Sequence, residues 1–251
     1  MELFAVQFGV KHGRKITPSV IKAANVVIKC GKSITFSEAL ALKFVAEKTS
    51  IPVPQVKGTY VSKGGVKYIV MEYIKGEPLS KIWHKLDSAK KSVLLLQLRA
   101  YMNELRSIIP PKPSVVAAID YSPCIDDRVA PDPFGPFESH DAFHSFLRCG
   151  IENEGHPNPV MGEIIRAHRS KRYSTVFTHG DLAPRNILVR DGKIVGIIDW
   201  ETAGWFPEYW EYARAWTSSW RFKEWKERLG EVLKVYEDEL RIEGMRVAIT
   251  E

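Results

Sequence analysis

Two short apolar runs, Ile187 to Arg190 and Lys193 to Ile198, stand on either side of Asp191-Gly192. That dipeptide is a strong signal for a tight turn between antiparallel strands. A hairpin over this stretch constrains the chain more than any other feature, because polar residues bracket it. His179-Gly180-Asp181 and Asn186 precede the first strand, and Asp199-Trp200-Glu201 follows the second. The hairpin therefore brings Asn186 and Asp199 together at its base, with Asp181 in the turn-rich segment just before it.

Taken singly, Asp181 and Asn186 are ordinary turn formers, and Asp199 is an ordinary helix cap. Taken in this order, with apolar strands between, they form a chemical set. In-line phosphoryl transfer needs a hydroxyl placed, its proton accepted and the phosphate charge neutralised. A carboxylate at Asp181 does the first two. An Asn amide oxygen and an Asp carboxylate, at Asn186 and Asp199, are hard ligands suited to Mg2+.

Composition limits the alternatives. The chain has 251 residues, enough for one large domain or two lobes. A net charge of +6 is modest for this length, and the basic runs at 11–15 and 168–172 are short solvated faces rather than a nucleic-acid stripe. The three cysteines, Cys30, Cys124 and Cys149, are odd in number and lack CxxC spacing, which fits a reducing compartment. The first residues lack the basic and apolar regions of a signal peptide, and no apolar run reaches the length needed to span a bilayer. The expectation is a cytoplasmic protein that binds neither nucleic acid nor membrane.

Along the chain, Val26 to Lys29, Val56 to Tyr60 and Val66 to Tyr73 read as strands. Glu38 to Lys48 reads as a helix with Thr35 or Ser37 as N-cap, and Gly64-Gly65 as a hairpin turn. After Gly76-Glu77-Pro78 the periodicity turns helical over 88–108, 139–152, 161–169 and 208–240, and the last ten residues are expected to fray. A long proline-rich irregular segment fills 110–136; such segments are often functional. The expected fold class is α+β, with a small antiparallel sheet carrying one main helix at 1–75 and a larger, mostly helical lobe at 76–251.

The stretch H-G-D-L-A-P-R-N from His179 to Asn186, followed by I-D-W-E ending at Glu201, resembles the motif of the aminoglycoside phosphotransferase and choline kinase-like family. Gly180, where protein kinases usually carry Arg, and Asp199-Trp200-Glu201 in place of Asp-Phe-Gly favour that branch of the kinase-like folds. Met71 to Leu79 resembles the family's lobe junction, and Gly204 to Glu211 resembles fungal members. The likeness spans about residues 25 to 215.

The resemblance implies a two-lobed protein-kinase-like fold and Mg2+-dependent phosphoryl transfer from ATP, or GTP, to a small hydroxylated molecule. It implies a strand lysine on the phosphates, held by a helix glutamate. Lys29, ending Val26-Val27-Ile28, fits the first. Glu38 fits the second, with Glu47 as fallback. Glu38 also completes a capping box with Thr35; the ion pair is preferred because a carboxylate on a buried helix face needs a charged partner. Adenine would meet the junction at Met71, Glu72, Tyr73 and Ile74.

Two features depart from the pattern or stay open. No G-x-G-x-x-G loop precedes Lys29; residues 13–25 are what remains to cover the phosphates, through Ser19 or backbone amides. That gap sustains an alternative, a catalytically weak or silent kinase-like nucleotide-binding module. On the acceptor side, Trp200, Trp205, Phe206, Tyr209 and Trp210 lie beside Glu201, Glu208 and Glu211. Such a set could bind an amine through charge and cation–π contacts, although core packing is the preferred reading of the rings. No Ala-Pro-Glu follows Asp199, which argues against a protein substrate.

Overall fold

The computed structural model describes residues 3–219 and 221–250. The chain divides into two compact units. The first comprises 1–97 and 184–201, and the second 98–183 and 202–251. The first unit thus contains the expected lobe at 1–75 together with 76–97 and the hairpin beyond Pro184, both of which were expected in the second lobe.

The first unit is built on a five-stranded antiparallel sheet. In chain order its elements are α1 (Leu3–His12), β1 (Arg14–Thr17), β2 (Val20–Ala23), β3 (Val26–Gly31), α2 (Ser37–Lys48), β4 (Val56–Val61) and β5 (Lys67–Glu72). The strand order β1-β2-β3-β5-β4 puts β3 at the centre, with Lys29 opposite Ile69 and Val26 opposite Glu72. Val6, Ile28, Tyr68 and Val70 form a buried cluster between α1 and the sheet.

The helix α1 and the β1–β2 hairpin lie outside what the sequence suggests. All four residues of β1 are exposed, so no alternation marks it as a strand. The glycines preceding Lys29 have a packing role: a Cβ at Gly9 would come within 3.1 Å of Ile28, and one at Gly13 within 2.4 Å of Ile21. They let α1 lie close against β2 and β3.

The hairpin at 187–198 forms as expected. Ile187–Arg190 pairs with Lys193–Ile197, Asp191 and Gly192 take positive φ of 51° and 72°, and Ile198 N donates to Asn186 O at 2.9 Å. Glu77–Pro78, expected only to break the pattern, joins this hairpin as a third strand at its edge, where a residue without an N–H is tolerated.

The second unit is mostly helical around a three-stranded sheet of Ala117–Ala118, Gly204–Pro207 and Thr175–Thr178. Its helices include His140–Leu147, Pro159–Ser170, Trp210–Thr217, Lys223–Glu227 and Glu237–Thr250. The continuous helix expected over 208–240 is in fact broken. The stretch consists of the helices Trp210–Thr217 and Lys223–Glu227, a short 3-10 turn at Leu229–Glu231, and the start of a further helix at Glu237. The C-terminal residues expected to fray are helical through Thr250. The proline-rich segment is well packed: Val116, Ala117, Ala118, Cys124 and Phe134 are buried, and Cys124 N donates to Phe134 O at 2.8 Å. Among the described residues no helix is long and apolar enough to cross a membrane.

Candidate functional site

Lys29 is the charge centre of the first unit. From the middle of β3 its Nζ reaches Asp199 at 2.5 Å, Glu38 at 2.8 Å and Glu201 at 3.6 Å. Burial alone would push the ammonium down; the three carboxylates outweigh it and hold Lys29 above its ordinary value. Glu38 is 2% exposed, and burial pushes its carboxyl up to about 7 against the pull of Lys29. The rival reading of Glu38 as a capping residue fails: α2 starts at Ser37 after Phe36 with no side-chain cap. Glu47 is exposed and paired with Lys48.

Asp199 leaves the hairpin with φ of +69°, a conformation rare for a residue with a Cβ and costing of order 1–3 kcal/mol. Lys29 and Asp199 border a cavity of about 690 Å³ made entirely of first-unit residues, a size that suits a small-molecule ligand. Met71, Glu72, Tyr73 and Ile74 line it, as do Thr17 and Ser19 from the β1–β2 turn. The segment expected to supply cover is therefore at the cavity, with Thr17-Pro18-Ser19 where a glycine-rich turn was sought. Lys22 also borders it, with Nζ 3.6 Å from the centre of the Tyr73 ring. Tyr73 N donates to Asn25 O at 2.9 Å, tying the junction to the start of β3.

Asn186 and Asp199 flank the hairpin base, joined through the bond from Ile198 N to Asn186 O. Their hard oxygens fit Mg2+, which takes one or two protein ligands and fills its remaining positions with water and phosphate. Among the described residues no group of three or more His, Cys, Asp or Glu side chains could enclose a metal without such help.

The second unit holds Asp181 in a tightly organised loop. Gly180 has φ of +79°, and a Cβ there would lie 2.7 Å from Thr202 O. Only glycine meets both conditions, which gives the H-G-D sequence a steric reason. Thr202 Oγ1 donates to His179 O at 2.9 Å, and Asp181 N donates to His179 Nδ1 at 3.1 Å. Beneath the loop lies Glu211, 1% exposed; its carboxylate accepts His179 N at 2.6 Å and Gly180 N at 3.2 Å.

What covers Asp181 comes from the proline-rich segment. Arg128, from the proline-rich segment, donates from Nη1 to Asp181 Oδ1 at 2.6 Å and from Nη2 to Gly180 O at 2.8 Å. The same guanidinium forks onto Asp126, from Nε at 2.7 Å and Nη2 at 2.8 Å. Arg214 reaches Asp126 from behind at 3.3 Å. Burial would lower Arg128, but Asp126 and Asp181 hold it above its ordinary value. An Arg inside an irregular segment has no periodicity to mark it; only the proline-rich composition pointed here.

The aromatic amine site is overturned. Trp200, Trp205, Phe206, Tyr209 and Trp210 are all at most 2% exposed. Phe206 stacks on Trp210, and Phe143 meets Trp210 edge-on, so these rings are core. Glu211 holds the loop, Glu201 faces Lys29, and Glu208 is taken by Tyr236 Oη and Ser174 N. A second hollow, of about 670 Å³, is walled by side chains already paired, Lys171 with Glu239 and Lys234 with Glu208.

Residues 36–246 match the model of the phosphotransferase enzyme family. A comparison with curated protein sequences found no match. Among solved structures, a thermostable mutant of aminoglycoside phosphotransferase APH(4)-Ia, in ternary complex with ADP and hygromycin B, superposes with a TM-score of 0.66 at 13% identity, over 100% of this chain and 89% of that one. The GDP and kanamycin complex of APH(2")-IIia gives 0.62 at 17% identity, over 95% and 82%. The streptomycin–ATP ternary complex of APH(2")-IIa gives 0.56 at 18% identity, over 84% and 73%. At these identities the likeness establishes the fold: α+β, of the kinase-like aminoglycoside phosphotransferase type.

Proposed function

The chain belongs to the phosphotransferase enzyme family, and from that premise we propose that it moves the terminal phosphoryl group of ATP or GTP to a hydroxyl of a small molecule. The observation that carries this is Lys29, held between Glu38 and Asp199 at the wall of a ligand-sized cavity. The solved relatives, with ADP and hygromycin B in one and GDP and kanamycin in another, support a nucleotide donor and a small hydroxylated acceptor.

In this reading Met71, Glu72, Tyr73 and Ile74 receive the base, and the Thr17–Ser19 turn covers the phosphates. Lys29 leaves Asp199 to grip the phosphate oxygens, while Glu38 keeps it aimed from the buried side. Asn186 and Asp199 would hold Mg2+, which neutralises phosphate charge when bound. Asp181 takes the acceptor's hydroxyl proton as the hydroxyl oxygen bonds to the γ-phosphorus; the bond to the bridging oxygen breaks and the nucleoside diphosphate leaves.

A second reading is a catalytically weak or silent nucleotide-binding module. The glycine-free Thr17-Pro18-Ser19 turn and the closed Lys29–Asp199 pair favour it. A phosphorylation screen over a panel of hydroxylated metabolites, read by mass spectrometry, separates the two. A product heavier by one phosphoryl group supports transfer. Tight Mg-nucleotide binding with no product across the panel supports the module.

A further inference from the structure

We propose that Arg128 selects an acceptor carrying an anionic group, a carboxylate or a phosphate, beside the hydroxyl that is phosphorylated. The inference rests on the phosphotransferase reading and assigns the charge of its acceptor.

The charges around Asp181 are unequally exposed. Arg128 and Arg214 balance Asp126 and Asp181, while the Glu211 carboxylate below the loop is 1% exposed and spent on two backbone amides. The side chains of Asp126 and Asp181 are only 6% and 11% exposed, and that of Arg214 only 6%, whereas Arg128 is 28% exposed. Arg128 is therefore the most exposed of the four side chains, and its guanidinium is the group that meets Asp181. A planar fork of this kind pairs well with carboxylate or phosphate and repels an ammonium group.

Geometry adds a reason. Arg128 Nη1 lies on Asp181 Oδ1, where a hydroxyl donating to that oxygen would sit. A hydroxyl bound there must compete with a charged hydrogen bond. An anionic group on the acceptor draws Nη1 to itself and opens Asp181 Oδ1 to the hydroxyl. The Asp126 fork keeps Arg128 in place meanwhile. Neither a neutral nor a cationic alcohol offers this exchange. The amine-binding alternative has no support in the second unit, because its aromatic rings are core and Glu208 and Glu211 are engaged.

The test uses the full chain, Mg-ATP and matched acceptors. Glycerate and threonate are compared with their amides, glycerol phosphate with glycerol, and serinol serves as the amine. The wild type should favour the anionic member at least tenfold in kcat/KM. The carboxylate and phosphate arms show which anion is taken. Arg128→Gln should collapse the ratio toward one and Arg128→Lys should restore part of it, while a cooperative thermal unfolding transition of the full chain reports that each variant is folded. A merely structural Arg128 would lower every acceptor alike and leave the ratio unchanged. That result, or wild-type preference for the neutral or amine member, overturns the inference. If no acceptor is phosphorylated although nucleotide binds, the phosphotransferase reading has failed. Calorimetry of the same acceptor pairs on wild type and Arg128→Gln then decides the charge preference separately: tighter anion binding that the variant loses sustains it, and equal binding ends it.

Discussion

Glu38 sits 2.8 Å from Lys29 Nζ at 2% exposure, so the buried α2 carboxylate is paired with the lysine that borders the cavity. Glu38→Gln keeps the shape and removes the charge. Lys29 retains Asp199 and Glu201, so the stability loss should stay below the roughly 3–5 kcal/mol typical of breaking an isolated buried pair. Nucleotide handling should suffer more. KM for the nucleotide should rise at least about tenfold, equivalent to about 1.4 kcal/mol, in steady-state kinetics. An unchanged KM would mean that Glu38 does not aim Lys29.

Gly180→Ala tests the packing of the loop before Asp181. The substitution imposes a Cβ at φ of +79° and 2.7 Å from Thr202 O. Strain of this kind costs about 1–3 kcal/mol. Urea unfolding should show a lower midpoint with an unchanged slope, and kcat should fall with it as Asp181 shifts. Full stability in the variant would contradict the steric account.

Glu211 holds the same loop from below. Its carboxylate accepts two buried amides, and hydrogen bonds to a charged acceptor contribute about 1.5–3 kcal/mol each. Glu211→Ala should therefore lower stability and kcat while leaving the Kd for Mg-nucleotide, a property of the first unit, nearly unchanged. Comparable losses in nucleotide affinity and kcat would argue against this division of labour.

How much could be read in the sequence depended on periodicity. The hairpin at 187–198, the central strand with Lys29 and the helix bearing Glu38 all follow from local signals: a turn dipeptide, an apolar run and a buried face. The α1 helix and the β1–β2 hairpin were hidden because β1 is exposed throughout and glycines at 9 and 13 look like loop residues when they are contact residues. The 208–240 segment looked like one helix because its aromatic and charged residues suit several structures, and packing of Phe206, Trp210 and Phe143 decided among them. Arg128 was invisible for another reason. A contact between residues 128 and 181 is made by the fold, and no local pattern encodes it.

Acid should destabilise the second unit in a defined window. Burial pushes His140 down to about 4 and His144 down to about 2. His144 lies stacked on His168 at 4.2 Å, with Nε2 2.9 Å from Tyr209 Oη. Both folded values lie below the unfolded value of about 6.5, so the unfolded state binds more protons between them. Stability is fully present above pH 6.5 and falls as pH drops below it, by at most about 1.4 kcal/mol per pH unit for each histidine. Tm by calorimetry should decline from pH 6.5 toward 4, and His144→Gln should flatten the decline. An equal decline in His144→Gln and the wild type would contradict the burial of this ring as a neutral group; the comparison cancels Glu38, whose raised carboxyl adds stability over the same interval in both.

The central claim is phosphoryl transfer by Asp181 with Asn186, Asp199 and Lys29, and labelled-phosphate transfer tests it most directly. Purified wild type, Asp181→Asn and Asp199→Ala are incubated with γ-labelled nucleotide, Mg2+ and the panel of small hydroxylated acceptors, and label in the acceptor is counted. The account predicts labelled product with the wild type and a fall of at least about a hundredfold in each variant, the scale expected when a general base or a metal ligand is lost. Undiminished transfer by Asp199→Ala would contradict it.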